Sequence, residues 1–566
     1  GVVSATAPAQ AFICSGTNAS GTETDNGVVT ATACGYAANA NGADATAVGS
    51  YAQANGVSAY AAGANAQATG ASATAIGLNA FANKANAIAF GVAARAMNTS
   101  AVAVGANAQA TGISAAAFGL NAFANNSNAF ALGVGAQATN TDTLAFGANA
   151  QAAGASAIAE GLNTFANSSN AIAIGRSAQA TNQNAIALGA NAQATGDSGM
   201  AIGQDAVASS ASTVAVGYAA VASTQWATAI GRKANALAIS ATALGYNTFA
   251  NATNAVAVGA NAQATGGSAA AFGANAQATG AGAVASGLNA FANGANAASF
   301  GVGAQATNAD TLAFGSNAQA TGVKAITVGL NAFANGANAA AFGVGARAIA
   351  TQALALGSGA KADGNSSTAL GPSAWAYGGA SVAIGAGANS TSSSTIAIGN
   401  ASDVSGSKSI AIGDSAQVAF FSNAIAIGAG AIAANGSNFY ANSIAVGGGA
   451  RATQSDAIVL GANARAGGVS GFAFGLNALS GAANAIAMGQ SANASFANSA
   501  ALGAGAATSR ADQFMFGTSA SNYTLRGLTS GGNYQNGATY MVTTDATGQL
   551  YYSAIPNAGV DCTTAT

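Results

Sequence analysis

The sequence predicts an all-β fold, a parallel β-solenoid of 14-residue coils, and three observations predict it. A glycine recurs at every fourteenth position, a short alternating run of apolar residues ends at each glycine, and a second alternating run of Ala with Asn, Gln or Thr follows it. A short, fixed repeat period marks an architecture in which each unit buries its apolar surface only against the next one.

The glycine series starts Gly35, Gly49, Gly63, Gly77, Gly91 and keeps its spacing to Gly413. It resumes at Gly428, Gly447, Gly461, Gly475, Gly489, Gly503 and Gly517, giving 35 coils in all. The residue before the glycine is apolar, as in Ile76, Phe90, Val104, Phe118 and Leu132, except at Glu160 and Ser286. The residue two before is nearly always Ala, and the residue three before is usually Ile, Val, Leu or Thr. Period two over so short a run reads as a strand, with bulky side chains on one face and small ones on the other. Glycine follows because a tight corner often needs a positive φ. The run Ala106-Asn107-Ala108-Gln109-Ala110-Thr111-Gly112 then reads as a second strand.

Each strand is expected to pair in register with its equivalent one repeat later, so all pairing is parallel. At a strand spacing of about 4.8 Å, the coils would stack to about 170 Å. The expected interior is one row of Ile, Val, Leu or Phe facing one row of Ala, a core thin enough to require lateral association. The Ala column two before the glycine would be the surface where another chain approaches. On this reading Glu160 is a carboxylate at a buried apolar position, which requires neutralisation or a partner.

The spacing grows by one residue between Gly413 and Gly428 and by five between Gly428 and Gly447. An insertion in a solenoid bulges as a loop, here Asn435 to Asn442, which would present Phe439 and Tyr440. Residues 1–30 lack the period and read as a cap on the first coil's open edges, 31–517 as the repeat region, and 518–566 as a small C-terminal β module or connector. Cys14 and Cys34 suit one loop-closing disulfide in an oxidising compartment, with two buried thiols as the alternative; Cys562 is left over. No secretory signal precedes Gly1, so the expectation is a mature or trimmed chain.

Composition excludes several functions. A chain 51% hydrophobic and 5% charged buries surface rather than staying disordered, and no uninterrupted apolar run is long enough for a membrane helix. A formal charge of −2 and 13 scattered Lys and Arg argue against nucleic acid. With no His and no clustered carboxylates, no catalytic residues, metal ligands or cofactor site are expected, and the chain is not read as an enzyme.

The informative position is four after the glycine. It holds polar residues such as Gln67, Arg95, Gln109, Gln137, Arg347, Lys361, Arg451 and Arg465, which implies contact with water. The same position holds Phe81, Phe123, Phe165, Phe249, Phe291 and Phe333 in a Leu-Asn-Ala-Phe-Ala-Asn frame and its variants, three or six coils apart. Three coils between neighbours would space the rings about 14 Å apart. They are candidates for gripping a repetitive ligand by apolar contact and stacking. The alternatives are that they cover a seam between chains, or record duplication of a three-coil unit.

Coils such as Asn170-Ala171-Ile172-Ala173-Ile174-Gly175 and Asn254-Ala255-Val256-Ala257-Val258-Gly259, each followed by x-x-Ala-x-Ala, resemble the head repeats of trimeric autotransporter adhesins. Residues 512–550 resemble a segment that follows the head in that family. The resemblance implies a left-handed parallel β-roll, a side-by-side homotrimer, and polyvalent attachment of a bacterium to host matrix, cells or abiotic surfaces. It implies an extracellular, cell-surface location; neither a heptad stalk nor a run of membrane-barrel strands is seen, so the chain is either an excised head, anchored in the outer membrane if a C-terminal anchor was removed, or a protein that uses the roll without that anchor. The partners expected are an extracellular protein or polysaccharide surface. A structural filament or coat joined end to end is the second reading, and ice binding a third that the varied outward row disfavours.

Overall fold

The computed structural model describes residues 13–14, 31–419, 423–433, 442–523, 540–544 and 550–554. It divides into two units, Gly1–Ala401 and Ser402–Thr566. Among the described residues all regular structure is β.

In the first unit each coil contributes a three-residue strand ending just before the glycine, such as Val102–Val104, and a two-residue strand, such as Gln109–Ala110. Val102, Ala103 and Val104 pair in parallel with Ala116, Ala117 and Phe118, while Gln109 and Ala110 pair with Phe123 and Ala124. The second strand is shorter than its alternation suggests because Ala106 and Asn107 form a corner. Each coil has two such corners, each with a residue in the left-handed region, as at Asn107 (φ 56°) and Ser114 (φ 54°). Asn, Asp and Ser dominate these positions because their short polar side chains tolerate that conformation.

Backbone groups are satisfied between coils even at the corners. The Asn107 amide donates to the Val92 carbonyl at 2.8 Å, Ser114 to Thr99 at 2.9 Å, and Gly105 to Phe90 at 2.7 Å. A thin fold with so little interior therefore leaves few buried peptide groups without partners.

The interior differs from the sequence expectation. Ala101, Ala103, Ala108 and Ala110 point inward with no exposed surface, and the same four columns run through the coils as an almost pure alanine core. The Ile, Val, Leu and Phe of the three-residue strands point outward, as Val102 and Val104 do. The alternation was right and its polarity inverted: strands two and three residues long, joined by tight corners, close around a lumen that accepts methyl groups. The largest fully buried apolar side chains are Val404, Val418 and Val459, all in the second unit. The Ala column is therefore not a surface for a neighbouring chain, and Glu160 is half-exposed on the outer face rather than buried.

Some core alanines are replaced by hydroxyl residues. Thr143 donates its Oγ1 to the Asn140 carbonyl at 2.7 Å, and Thr213 and Thr311 make the same bond to Ser210 and Asn308 at 2.6 Å. The hydroxyl thus takes the turn carbonyl that an alanine amide uses elsewhere, as Ala129 does with Asn126. The buried hydroxyls of Ser299, Ser367 and Ser381 have no such partner.

In the second unit the same two-strand coil recurs on either side of the longer connections. Ile410–Ile412 pairs with Ile425–Ile427, and that strand with Ile444–Val446, every strand keeping its register despite longer connections. Tyr540–Thr544 and Leu550–Ala554 pair antiparallel, in contrast to the parallel pairing of the coils. Near the chain start, Ile13–Cys14 pairs in parallel with Ala33–Cys34.

Candidate functional site

With the core filled mostly by alanine, most of what distinguishes one coil from another lies on the outside, on two faces of different character. The face built by three-residue strands is apolar: Ile172 and Ile174, Ile186 and Leu188, and Val214 and Val216 all project from it. Phe90, Phe146, Phe314 and Leu356 are among its exposed members. Phe118 packs against Phe130 with ring centroids 5.8 Å apart, and Phe300 against Phe314 at 6.1 Å. Glu160 interrupts the column between Phe146 and Ile174, and Ser286 between Phe272 and Phe300. A continuous exposed apolar face of this kind is characteristic of a surface that another molecule covers.

The face built by two-residue strands is mostly polar, with one outward side chain per coil. All six phenylalanines of the three-coil series sit here and are half-exposed. The structure brings no two of them together. Phe123 lies between Gln109 and Gln137, Phe165 between Gln151 and Gln179, and Phe249 between Asn235 and Gln263. Phe291 lies between Gln277 and Gln305, and Phe333 between Gln319 and Arg347. Phe81 follows Gln67 and is capped by the Arg95 guanidinium, 5.9 Å above its ring centroid.

Sequence reasoning singled out the phenylalanines but not their companions. Leu78, Leu120, Leu162, Leu288 and Leu330, one residue after the glycine in the same coils, are exposed at the adjoining corner, and Tyr246 holds that place beside Phe249. The signal was in the quoted Leu-Asn-Ala-Phe frame, whose Leu has no place in the alanine interior. Two further clusters were also missed. Arg232 sits over Tyr218 and Tyr246 at 5.6 and 5.7 Å, and Lys361 sits 5.5 Å from the Trp375 ring, which meets Tyr377 edge-on.

Corner asparagines form amide ladders: Asn247 donates to Asn261 at 3.0 Å, Asn261 to Asn275 at 3.1 Å, and Asn275 to Asn289 at 3.0 Å. Where aspartate occurs in such a column it accepts from the preceding coil, as Asp142 does from Asn128 and Asp205 from Asn191. A carboxylate cannot donate onward, so the chain of side-chain bonds ends there.

Cys14 and Cys34 are register partners on adjacent parallel strands. Phe439, Tyr440 and Cys562 lie outside the described residues. Among the described residues no group of three or more His, Cys, Asp or Glu could hold a metal ion, and no helix is long and apolar enough to cross a membrane.

The family model described as the YadA head domain repeat, two copies to a block, matches residues 29–52, 54–80, 82–108, 110–136, 138–164, 166–192, 194–276, 292–318, 334–388, 390–431, 441–464 and 480–506. No curated protein matches the chain. Among solved structures, the collagen-binding domain of the Yersinia adhesin YadA is similar at 25% identity, over 28% of this chain and 76% of that one, with a TM-score of 0.21. The repeat match spans most of the chain and coincides with the coils themselves, and on that ground the chain belongs to the YadA head family, the heads of trimeric autotransporter adhesins.

Proposed function

We propose that this chain is the binding head of a bacterial cell-surface adhesin, that three copies associate through their apolar three-residue-strand faces, and that the polar two-residue-strand faces meet the target. One observation carries the reading: the two outer faces differ in polarity, and the six phenylalanines lie on the polar one. A homotrimer closed through the apolar faces buries a surface that would otherwise stay in water. It leaves each Phe with its neighbouring corner Leu or Tyr as an open apolar step, recurring at three- or six-coil intervals over much of the first unit.

The target class is an extracellular matrix protein, a cell surface or an abiotic surface. Many weak contacts act together because once one step is engaged the next binds at high effective concentration. No cofactor takes part.

The first test is the mass of the native particle by light scattering. Three chains of 52.8 kDa support the apposed-face arrangement, whereas a monomer at micromolar concentration overturns it. The second replaces Phe81, Phe123, Phe165, Phe249, Phe291 and Phe333 with Gln, the residue already common at that position. Particle mass should stay the same while attachment to a panel of matrix-coated surfaces falls. Collagen belongs in the panel because the similar Yersinia domain is a collagen-binding one. Unchanged attachment by an intact oligomer would remove the phenylalanines from the binding surface.

A further inference from the structure

The chain has 13 Lys and Arg in 566 residues, and along the sequence they look scattered. The strand ladder changes this. Arg347 and Lys361 are register partners on adjacent coils of the polar face, both exposed. In the second unit Arg451 and Arg465 are register partners in the same way, also exposed. Like charges side by side on neighbouring strands repel, and most coils place an uncharged residue there, Gln above all.

The surroundings of the two pairs are alike. Phe333 precedes Arg347 in the ladder and Trp375 follows Lys361, with Tyr377 exposed beside the Trp. Ile432 precedes Arg451 and Leu479 follows Arg465. Each unit thus carries an apolar side chain, two cations and an apolar side chain in consecutive register. Compensation is slight: Arg347 reaches Asp363 at 3.5 Å, and Lys361 leans on the Trp375 ring. The ladder gives Arg451 and Arg465 only each other and two aliphatic neighbours.

We propose that these two cation pairs are binding subsites for a linear sulfated glycan. The inference rests on the reading that the two-residue-strand face stays open in the oligomer. Two cations about one strand spacing apart, ~4.8 Å, match anionic groups carried closely along one polymer. The flanking rings and aliphatic chains pack on the apolar faces of sugar rings. A nucleic acid is disfavoured because a phosphate backbone of one charge per few ångströms is bound by longer runs of cations than two. Association of three chains would multiply the subsites, so individually weak pairs add through avidity.

The test uses the full chain and immobilised heparin, with chemically desulfated heparin and single-stranded DNA as comparators. The variant R347Q/K361Q/R451Q/R465Q installs the residue other coils carry in that column, so folding is preserved; particle mass and thermal midpoint check this. A control variant, K84Q/R176Q/K324Q/K408Q, removes the same charge from four exposed cations that have no cation as coil neighbour. The native chain should bind heparin in a salt-sensitive way and desulfated heparin poorly. The pair variant should bind heparin more weakly by on the order of tenfold or more, and the control should bind close to normally.

Three outcomes overturn the proposal: no heparin binding by the native chain at low salt, equal loss in the control, or tighter binding to the DNA than to heparin. Attachment of the pair variant to collagen-coated or plain surfaces is read in parallel. If that attachment persists, the adhesin reading stands whatever becomes of the glycan subsites.

Discussion

Replacing Gly147 with Ala tests how tightly the coils stack. A Cβ built on Gly147 would lie 2.3 Å from the Gly161 carbonyl oxygen and 2.6 Å from its carbon, at a backbone φ of +133°. Both obstacles are backbone, so no side chain can swing away. The conformation alone costs an L-residue about 1–3 kcal/mol. Relief of the clash must displace the Gly161 carbonyl, which accepts the Thr164 hydroxyl at 2.9 Å, and strain the neighbouring bond from the Gly161 amide to Phe146 at 2.7 Å. At about 1 kcal/mol for each weakened bond, the total is on the order of 3–5 kcal/mol.

Gly387 provides the contrast. Its φ is +63°, nothing lies within 4 Å of the place a Cβ would take, and equivalent corners hold Asn261 and Asn275. Gly387→Asn should therefore change stability by less than about 1 kcal/mol. Guanidinium unfolding followed by circular dichroism gives the totals, and hydrogen exchange by mass spectrometry locates the damage. Peptides covering residues 133–175 should lose protection in Gly147→Ala while distant coils keep it, because solenoid stability is a nearest-neighbour property. Equal midpoints and equal exchange for Gly147→Ala and the native chain would refute the stacking argument.

Four further outcomes are expected. Ser367→Ala with Ser381→Ala should raise stability in urea by about 1 kcal/mol per site, since each change removes a buried hydroxyl that makes no hydrogen bond; a lower midpoint would mean those hydroxyls are satisfied. Ala257→Leu, at an inward position with no exposed surface, should cost about 3 kcal/mol or prevent folding, while Val258→Leu next to it on the outer face should cost less than about 1.5 kcal/mol. The reverse order would return the bulky residues to the interior. Glu160→Ile should raise the thermal midpoint of the oligomer in a concentration-dependent scan by completing the column between Phe146 and Ile174; no change would place that column away from the interface. Cys14 and Cys34, in register on strands about 4.8 Å apart, fall within the Cα range of a disulfide, so a non-reducing peptide map of oxidised protein should contain the linked pair. Alkylation of both thiols without prior reduction would dismiss the bridge.

Period and pairing were readable from the sequence because they depend on backbone register, and a glycine at every fourteenth position states the register outright. Inside and outside were not. Apolar residues usually point inward, and on that rule Val102 and Val104 belong in the core with Ala103 outside. The structure reverses them because a coil this short has room inside for little more than methyl groups, Val and Thr being the largest side chains it encloses, and coil width is set by corner geometry at positions such as Asn107 and Ser114 rather than by hydrophobicity. The same inversion explains Glu160, which is a defect on the apolar outer face and not in the core.

The outward direction of the phenylalanines was readable because any residue four after the glycine shares the direction of the Gln in neighbouring coils. Their corner companions and the cation pairs were overlooked for a different reason. Leu120 and Phe123 are close in sequence, yet their relation to surface depends on the fold of a corner, and Arg451 and Arg465 look distant until the chain is wrapped at its own period. Writing the sequence in columns at that period would have placed them side by side.

The alanine interior has one more consequence. A methyl group has no rotamers to choose among, so burying it costs no side-chain entropy, and it also carries no information about which coil it belongs to. Inside, the coils lined by alanine alone are interchangeable. A gene that loses or duplicates one coil, or a block of three, still encodes a chain whose interior closes without a seam, and the change is felt only in the number and spacing of the groups displayed outside. Length and display can then drift under selection at little cost to folding, the way a bead can be added to a string without restringing it.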